Sequence, residues 1–163
     1  MSKKLWIPLL SVFILIAGIY TFLKMYPPLE TGTIASNLDQ TLYLVGVGNR
    51  GLSTIQLVNV TVNVEEAVPT ETKVQTCDAI SGFTLTDDYR TEELNGCGVR
   101  DLKGVSIKKG TSPTKTYAKQ DEGTVTKQDL IYGVTVKNEL PIQTVNIEYT
   151  YFGIPLSLIV ELD

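Results

Sequence analysis

The chain has 163 residues, of which 43% are hydrophobic and 20% are charged, with 18 acidic side chains against 14 basic ones and no histidine. This length fits one ordinary domain with a short appendage, and the apolar content excludes a disordered chain. The lack of histidine excludes every mechanism that depends on an imidazole, whether as a general base, as the partner of a nucleophile or as a zinc ligand.

The first segment predicts a membrane anchor. Residues 5–23 form an uncharged run that is bounded by lysines at both ends. A helix rises ~1.5 Å per residue, so this run would span roughly 28 Å, close to the ~30 Å hydrocarbon core of a bilayer. A cleavable signal peptide would have a shorter apolar core and a cleavage site of small residues, so we favour an uncleaved signal anchor.

Charge predicts the orientation of this transmembrane helix. Lys3 and Lys4 precede the span and Lys24 follows it, so the positive-inside rule places residues 1–4 in the cytoplasm. A linker at residues 24–30 would then lead to a domain outside the membrane. Without the three lysines that flank the span, the rest of the chain has 11 basic and 18 acidic side chains, a net charge of −7, which is the wrong sign for binding nucleic acid.

Residues 31–163 predict one extracytoplasmic β domain. Short runs rich in β-branched and aromatic residues alternate with Gly, Pro, Asn and Asp, and no useful amphipathic helical period interrupts them. This pattern is typical of an all-β fold, and we expect an Ig-like antiparallel β-sandwich. The predicted strands are residues 42–47, 55–64, 73–76, 83–86, 104–107, 114–118, Leu130–Lys137, 142–151 and 156–162.

Two of these strands resemble each other. Residues 55–60 match residues 142–147 at five positions when Val and Ile are equated, and the tripeptides that lead into them, 47–49 and 136–138, also correspond. Either an internal duplication or a shared β pattern would explain this match. Turn residues follow both tripeptides, so we expect two β-hairpins of similar shape.

Within the first of these strands, valines alternate with polar residues. Val58, Val60, Val62 and Val64 recur at every second position, separated by Asn59, Thr61 and Asn63. Successive side chains of a strand point to opposite faces, so this pattern predicts that the four valines share one buried face.

The order of these motifs supports a resemblance. Residues 141–155 carry the pattern P-I-x-x-V-x-I-x-Y-x-Y-x-G-I-P, after a single N-terminal span, a strand ending in VGNRG and the strand IQLVNVTVNV. The sequence thereby resembles small uncharacterised membrane-anchored proteins of Gram-positive bacilli, and more weakly the late-embryogenesis-abundant type 2 domain. Both resemblances imply an anchored extracytoplasmic β-sandwich, and neither implies an enzyme.

Cys77 and Cys97 are the only cysteines of the sequence. Both fall in the part predicted to lie outside, where oxidation is permitted, and closing a loop of about twenty residues would stabilise the domain by roughly 3 kcal/mol. We predict a disulfide, with free thiols as the alternative. A metal site fits poorly, because two thiols without histidine supply only half of a zinc ligand set.

The segment between the cysteines carries the remaining binding candidates. Its carboxylates could offer oxygens to Ca²⁺, but the segment lacks the ligand spacing and central glycine of a dedicated calcium loop, so a solvated loop is the favoured interpretation. A tyrosine among charges on such a loop predicts a partner contact. The calcium candidates are Asp87, Asp88, Glu92 and Glu93, and the partner-contact candidates are Tyr89 and Arg90.

The sequence therefore predicts a single-pass protein of the cell membrane with one domain on the outside. We expect a protein-interaction or envelope-associated module without catalytic activity, cofactor or nucleic-acid partner. The alternative is an anchored domain that binds a small ligand or Ca²⁺. An enzyme that uses carboxylates alone is disfavoured, because adjacent acidic residues on a strand point to opposite faces.

Overall fold

The computed structural model describes residues 3–63, 67–89, 94 and 96–162, with side chains from residue 9 onward. Within these residues the chain forms two helices and nine strands. The helices are α1 (Lys3–Met25) and α2 (Pro113–Asp121). The strands are β1 (Leu29–Ser36), β2 (Leu42–Asn49), β3 (Ile55–Val62), β4 (Glu71–Asp78), β5 (Gly98–Asp101), β6 (Ser106–Ile107), β7 (Leu130–Lys137), β8 (Thr144–Tyr151) and β9 (Ile154–Glu161).

The strands form two antiparallel sheets, which confirms the prediction of a mostly β domain. The five-stranded sheet has the order β1-β2-β7-β4-β5, and the four-stranded sheet has the order β6-β3-β8-β9. Inward side chains of both sheets meet in one apolar core, because β2, β7 and β8 alternate apolar and polar or small residues. This core includes Val45, Val47, Val60, Val62, Val134, Val136, Val145 and Ile147. Among the described residues, no helix combines the length and apolar character needed to cross a membrane.

Two of the predicted strands are wrong. Residues 114–118 lie in α2, because the Ser112 hydroxyl caps the helix by accepting the backbone N–H of Lys115, and Pro113 takes a first-turn position where its missing N–H costs little. Residues 83–86 are irregular, because their backbone bonds the side chain of Gln75 instead of a neighbouring strand. The expectation that no helix interrupts the strands is therefore also wrong.

The sequence pattern does not reveal β1 and β5. β1 contains Gly32, and its register with β2 shifts between Thr31 and Ile34, so its side chains do not follow a simple alternation. It begins at Leu29, within the segment predicted as a linker. β5 has four residues, which is too short for a recognisable pattern, and in the described part of the chain its one partner strand is β4.

The two predicted hairpins are wrong, because each turn crosses from one sheet to the other. β2 continues into β3 of the opposite sheet, and β7 continues likewise into β8. The two units then pair with each other, β2 with β7 and β3 with β8, both antiparallel. Val45 pairs with Val134 and Val60 with Ile147. The internal sequence match aligns Val60 with Ile147, and it also aligns Val45 with Val134 when the matching tripeptides are extended by two residues toward the N-terminus. A duplication with two-fold symmetry would produce this arrangement, and it stays a hypothesis.

The prediction of one buried valine face on β3 is correct only in part. Val60 and Val62 face the core, but Val58 is 53% exposed. The register of β3 with β8 shifts between Leu57 and Asn59, and such a bulge turns the following residues to the opposite face. Val64 lies outside the described residues.

Candidate functional site

A pocket of about 300 Å³ lies on the outer face of the five-stranded sheet. Strands β2 and β7 supply its floor, while α2 and the segment of residues 79–89, here called the covering segment, supply its walls. Its volume is at the lower end of the range for small-molecule sites, and its lining is mostly apolar. The lining side chains include Thr33, Ala35, Leu44, Phe83, Leu85, Tyr117, Gln120 and Ile131.

Glycines in the floor allow the walls to approach the sheet closely. Gly46 and Gly133 pair across β2 and β7, and the Phe83 ring lies over both of them. A Cβ atom on Gly133 would lie 3.0 Å from that ring, and one on Gly48 would lie 1.9 Å from the carbonyl oxygen of Thr111, just before α2. The outward-facing glycines thus define where the covering elements rest.

Hydroxyl groups hold α2 against β1. The Glu30 carboxylate on β1 accepts hydrogen bonds from the hydroxyls of Ser112 and Thr114 at the start of the helix. A carboxylate at a helix N-terminus is also favoured by the helix dipole. The Tyr117 and Thr33 hydroxyls, 2.9 Å apart, share a hydrogen bond at the edge of the pocket. This wall of the pocket is therefore held at the start and at the middle of α2.

An ion pair fixes the far end of α2. Lys119 contacts Asp129, and the hydrogen bonds from Lys119 and Thr126 lower the pKa of the Asp129 carboxyl to about 2. The Gln120 amide also donates to the carbonyl oxygen of Ala79, 3.3 Å away. These contacts join α2 to the covering segment and to the turn that leads into β7.

The predicted disulfide is confirmed: Cys77 and Cys97 are bonded, with a Cα–Cα distance of 4.3 Å. The disulfide is buried in a small apolar cluster of its own, separate from the main core, where Leu94 packs with Phe83 and Tyr89. The disulfide therefore anchors a segment that folds back over the sheet.

The Gln75 side chain holds the middle of the covering segment through hydrogen bonds to Thr84. Its fully buried side chain donates from Nε2 to the Thr84 carbonyl (2.7 Å) and to the Thr135 hydroxyl (3.2 Å), and its Oε1 accepts the Thr84 N–H (3.3 Å). The amide side chain thus replaces the neighbouring strand that the Thr84 backbone lacks. Tyr89 lies nearby and is half-buried. Its burial, with the charges of Glu71 and Asp87, raises the pKa of its hydroxyl to about 12.

The predicted calcium and partner-contact residues fall at the end of the covering segment. Asp87 forms a 2.7 Å ion pair with Lys137, which lowers the pKa of the Asp87 carboxyl. The backbone N–H of Asp88 donates to the Thr86 hydroxyl. In the described part of the chain, no group of three or more acidic or cysteine side chains could hold a metal ion. Three further candidates lie outside the described residues: Arg90, Glu92 and Glu93.

The α1 helix presents large apolar side chains in all directions. Of the α1 side chains that the structure describes, only Leu23 is buried, where it packs on the main core. A helix that is apolar all round is typical of an element surrounded by protein or lipid. Its exposed large side chains are Leu9, Leu10, Val12, Phe13, Ile14, Leu15, Ile16, Ile19, Tyr20, Phe22 and Met25.

An apolar groove lies between α1 and the end of the β domain that faces it. Its volume is about 780 Å³, and α1 contributes Ile19 and Phe22 to its lining, while the linker contributes Tyr26. The β domain contributes the tips of two turns, Leu52 after β2 and Phe152 after β8, which we call the basal rim. Leu52 is 85% exposed and Phe152 is 68% exposed.

Arg50 holds this end of the domain against the linker. Its Nε donates to the carbonyl of Pro27 at 2.8 Å, and its backbone N–H donates to the carbonyl of Pro28 at 3.0 Å. The Tyr151 hydroxyl accepts the Leu52 N–H at 2.8 Å, which ties the two turns together. The basal rim therefore has a defined position relative to the end of α1.

The pocket and the groove go beyond the sequence predictions. Ser112 and Pro113, followed by Gly123, are helix start and stop signals that could have located α2. No local signal brings Leu52 and Phe152 beside α1, because that contact depends on how the sheets fold. No protein-family model, curated protein or solved structure matches the chain.

Proposed function

We propose that the chain is a membrane-anchored recognition module, in which α1 lies in the cell membrane and an Ig-like β-sandwich is presented on the outer side. The observation that carries the proposal is the continuous exposure of large apolar side chains along α1. Leaving such surface in water costs roughly 25 cal/mol per Å², and hydrocarbon around the helix would remove that cost. The uncharged run of residues 5–23 and the lysines that precede it support an uncleaved anchor with its N-terminus inside.

Recognition in this proposal falls to the covering segment and its half-buried Tyr89. The disulfide, Gln75 and the Asp87–Lys137 ion pair hold this segment in place. A loop that is already ordered loses little conformational entropy when it binds, so such loops suit partner contacts. The module would then act by binding a protein or envelope component close to the membrane, without catalysis.

Anchoring is tested by alkaline carbonate extraction of membranes that contain the full chain. We expect the protein to remain in the membrane pellet, and the double variant Ile14→Asp and Leu15→Asp to move to the supernatant, since each charge at a helix centre costs about 3 kcal/mol in lipid. The matched control is Leu38→Asp with Leu140→Asp, which charges residues of the β domain that are at least as exposed. Extraction of the wild-type chain, or retention of the α1 variant, would overturn the proposal.

Partner binding is tested with a photo-reactive phenylalanine analogue in living cells. The analogue replaces Tyr89 in one protein and Val58, which is exposed on the four-stranded sheet, in the control. We expect a discrete cross-linked product from position 89 and none from position 58. Equal or diffuse labelling from both positions would count against a recognition role for the covering segment.

A second candidate function is the binding of a small apolar molecule in the pocket. The observation in its favour is the apolar lining under α2, with the Thr33–Tyr117 hydroxyl pair at its edge. A ligand raises the melting temperature of the form that binds it. We expect 1-octanol to raise the melting temperature of the wild-type chain but not of Ala35→Phe, whose ring would fill the pocket. An equal response of both proteins would remove this candidate, and the calcium alternative is tested by the same measurement with millimolar Ca²⁺.

A further inference from the structure

We propose that the basal rim inserts into the lipid bilayer beside α1, so that the β domain rests on the membrane surface through Leu52 and Phe152. This inference rests on the proposed anchoring by α1. It adds a second membrane contact, made by the β domain itself, with the lipid acyl chains at the edge of the bilayer as its occupant.

The depth of the basal rim follows from the groove that it shares with α1. Leu52 and Phe152 line the same groove as Ile19 and Phe22. These two α1 residues lie inside the uncharged run of residues 5–23. Since a helix rises ~1.5 Å per residue, Ile19 lies roughly 9 Å along the axis from Met25 at the helix end. If α1 is in the membrane, lipid that surrounds Ile19 and Phe22 also reaches the basal rim.

The backbone at Phe152 supports a role for its exposed ring. Phe152 has a φ of 51° and precedes Gly153, with a φ of 75°, in the turn between β8 and β9. Asn, Asp or Gly usually occupies such a turn position, because positive φ is unfavourable for bulky residues. The ring contacts Tyr151 at a centroid distance of 4.6 Å and still remains 68% exposed. The turn therefore keeps an aromatic ring in an exposed position at a conformational cost.

The polar groups around the groove match a bilayer interface. Tyr26 is 59% exposed beside the groove, and amphipathic aromatic rings prefer the headgroup level. Lys24 lies in the last turn of α1, and Arg50 lines the groove. Cations close to an anionic membrane surface strengthen binding to it. The Arg50 bonds to Pro27 and Pro28 keep the basal rim next to these groups.

The opposite end of the domain offers a natural control. Leu38 is fully exposed in the turn between β1 and β2, and Leu140 is 68% exposed in the turn between β7 and β8. Each strand has eight residues, so these turns lie roughly 25 Å from the basal rim at ~3.3 Å per residue. They resemble the basal rim in apolar exposure, but no apolar helix of the described residues lies beside them.

Tryptophan fluorescence in vesicles tests the inference. Trp6 is the only tryptophan of the sequence, so Trp6→Phe removes the intrinsic tryptophan fluorescence. Leu52→Trp, Phe152→Trp and the control Leu140→Trp are each introduced into this variant. Each full-length protein is reconstituted into phosphatidylcholine–phosphatidylglycerol vesicles whose acyl chains carry bromine near the headgroups. We expect the probes at 52 and 152 to be blue-shifted and quenched about twofold or more relative to the unbrominated vesicles, with no quenching at 140.

The wild-type chain separates this inference from the proposed anchoring, because Trp6 lies inside the predicted span. If Trp6 is quenched while probes 52 and 152 behave like probe 140, the basal rim stays out of the bilayer and the inference is wrong. If Trp6 itself is not quenched, the anchoring proposal fails as well. A blue shift at 52 or 152 without quenching would mean that a second protein copy covers the basal rim, which also overturns the inference. Matching circular dichroism spectra of all variants establish that each one is folded.

Discussion

The outer faces of the two sheets differ in what covers them. On the five-stranded sheet, α2 and the covering segment lie over Gly46, Gly48 and Gly133, and the disulfide and Gln75 hold that cover in place. The four-stranded sheet keeps exposed or half-buried residues on its outer face: Gln56, Val58, Asn146, Glu148 and Thr150. Outward-facing glycines in a strand thus indicate that another element packs closely on that face, whereas polar residues at those positions indicate a face exposed to solvent.

Crowding the floor of the covered face is expected to have the largest effect. A Cβ at Gly48 would meet the Thr111 carbonyl oxygen at 1.9 Å, so Gly48→Ala should lower the free energy of unfolding by about 3 kcal/mol or more. Chemical denaturation of the full chain in mild detergent measures this loss. The control is Gly98→Ala on β5, where the nearest atom would lie 3.9 Å away, with a change of less than about 1 kcal/mol. Equal effects would contradict the close packing of α2 on β2.

Opening the disulfide is expected to have the next largest effect. Cys77→Ala with Cys97→Ala removes a crosslink between residues 20 positions apart, and the free energy of unfolding should fall by roughly 3 kcal/mol in the chain-entropy model. Dithiothreitol should destabilise the wild-type chain by a similar amount and leave the variant unchanged. If the variant has the same melting temperature as the oxidised wild type, the disulfide does not hold the covering segment.

Removing one glutamine from each sheet compares the two faces directly. Gln75 is fully buried under the cover, whereas Gln56 is exposed and accepts one bond from Ser106. We expect Gln75→Ala to cost about 2 kcal/mol, because it leaves the Thr84 backbone unpaired, and Gln56→Ala to cost less than about 0.5 kcal/mol. The same denaturation experiment gives both values. Similar losses from the two variants would mean that the covering segment is not held through Gln75.

Alkaline pH should lower the stability of the covering segment by a smaller amount than these substitutions do. Burial raises the pKa of Tyr89 to about 12 from 10.0, so the folded chain retains a proton that the unfolded chain releases. This contribution to stability is complete below pH 10 and is lost as the pH rises from 10 to about 12. Tyr89→Phe should therefore reduce the fall in melting temperature over that range. Tyr149, whose pKa burial also raises to about 12, should retain its own share in this variant; an unchanged pH dependence would contradict the assignment to Tyr89.

The sequence predicted those features that depend on local pattern. β7 has the predicted bounds because turn residues stand on both sides of a β-branched run. The disulfide was predicted from two cysteines in the part of the sequence expected to lie outside the membrane. The run from Thr114 to Ala118 misled the prediction, because its β-branched and aromatic residues favour a strand until the cap at Ser112 is considered. The sheet crossings and the groove beside α1 could not be predicted, since the same turn residues serve hairpins and crossings alike.

The pairing of β2 with β7 and of β3 with β8 has a consequence for biosynthesis. Val45 meets Val134 only after about 90 further residues have left the ribosome, so most of the core depends on contacts that are distant in the chain. Until β7 and β8 emerge, β2 and β3 lack these partners and expose apolar side chains to proteases and to other nascent chains. A message that terminates before Leu130 would therefore yield no stable fragment, and cellular quality control should clear such products entirely.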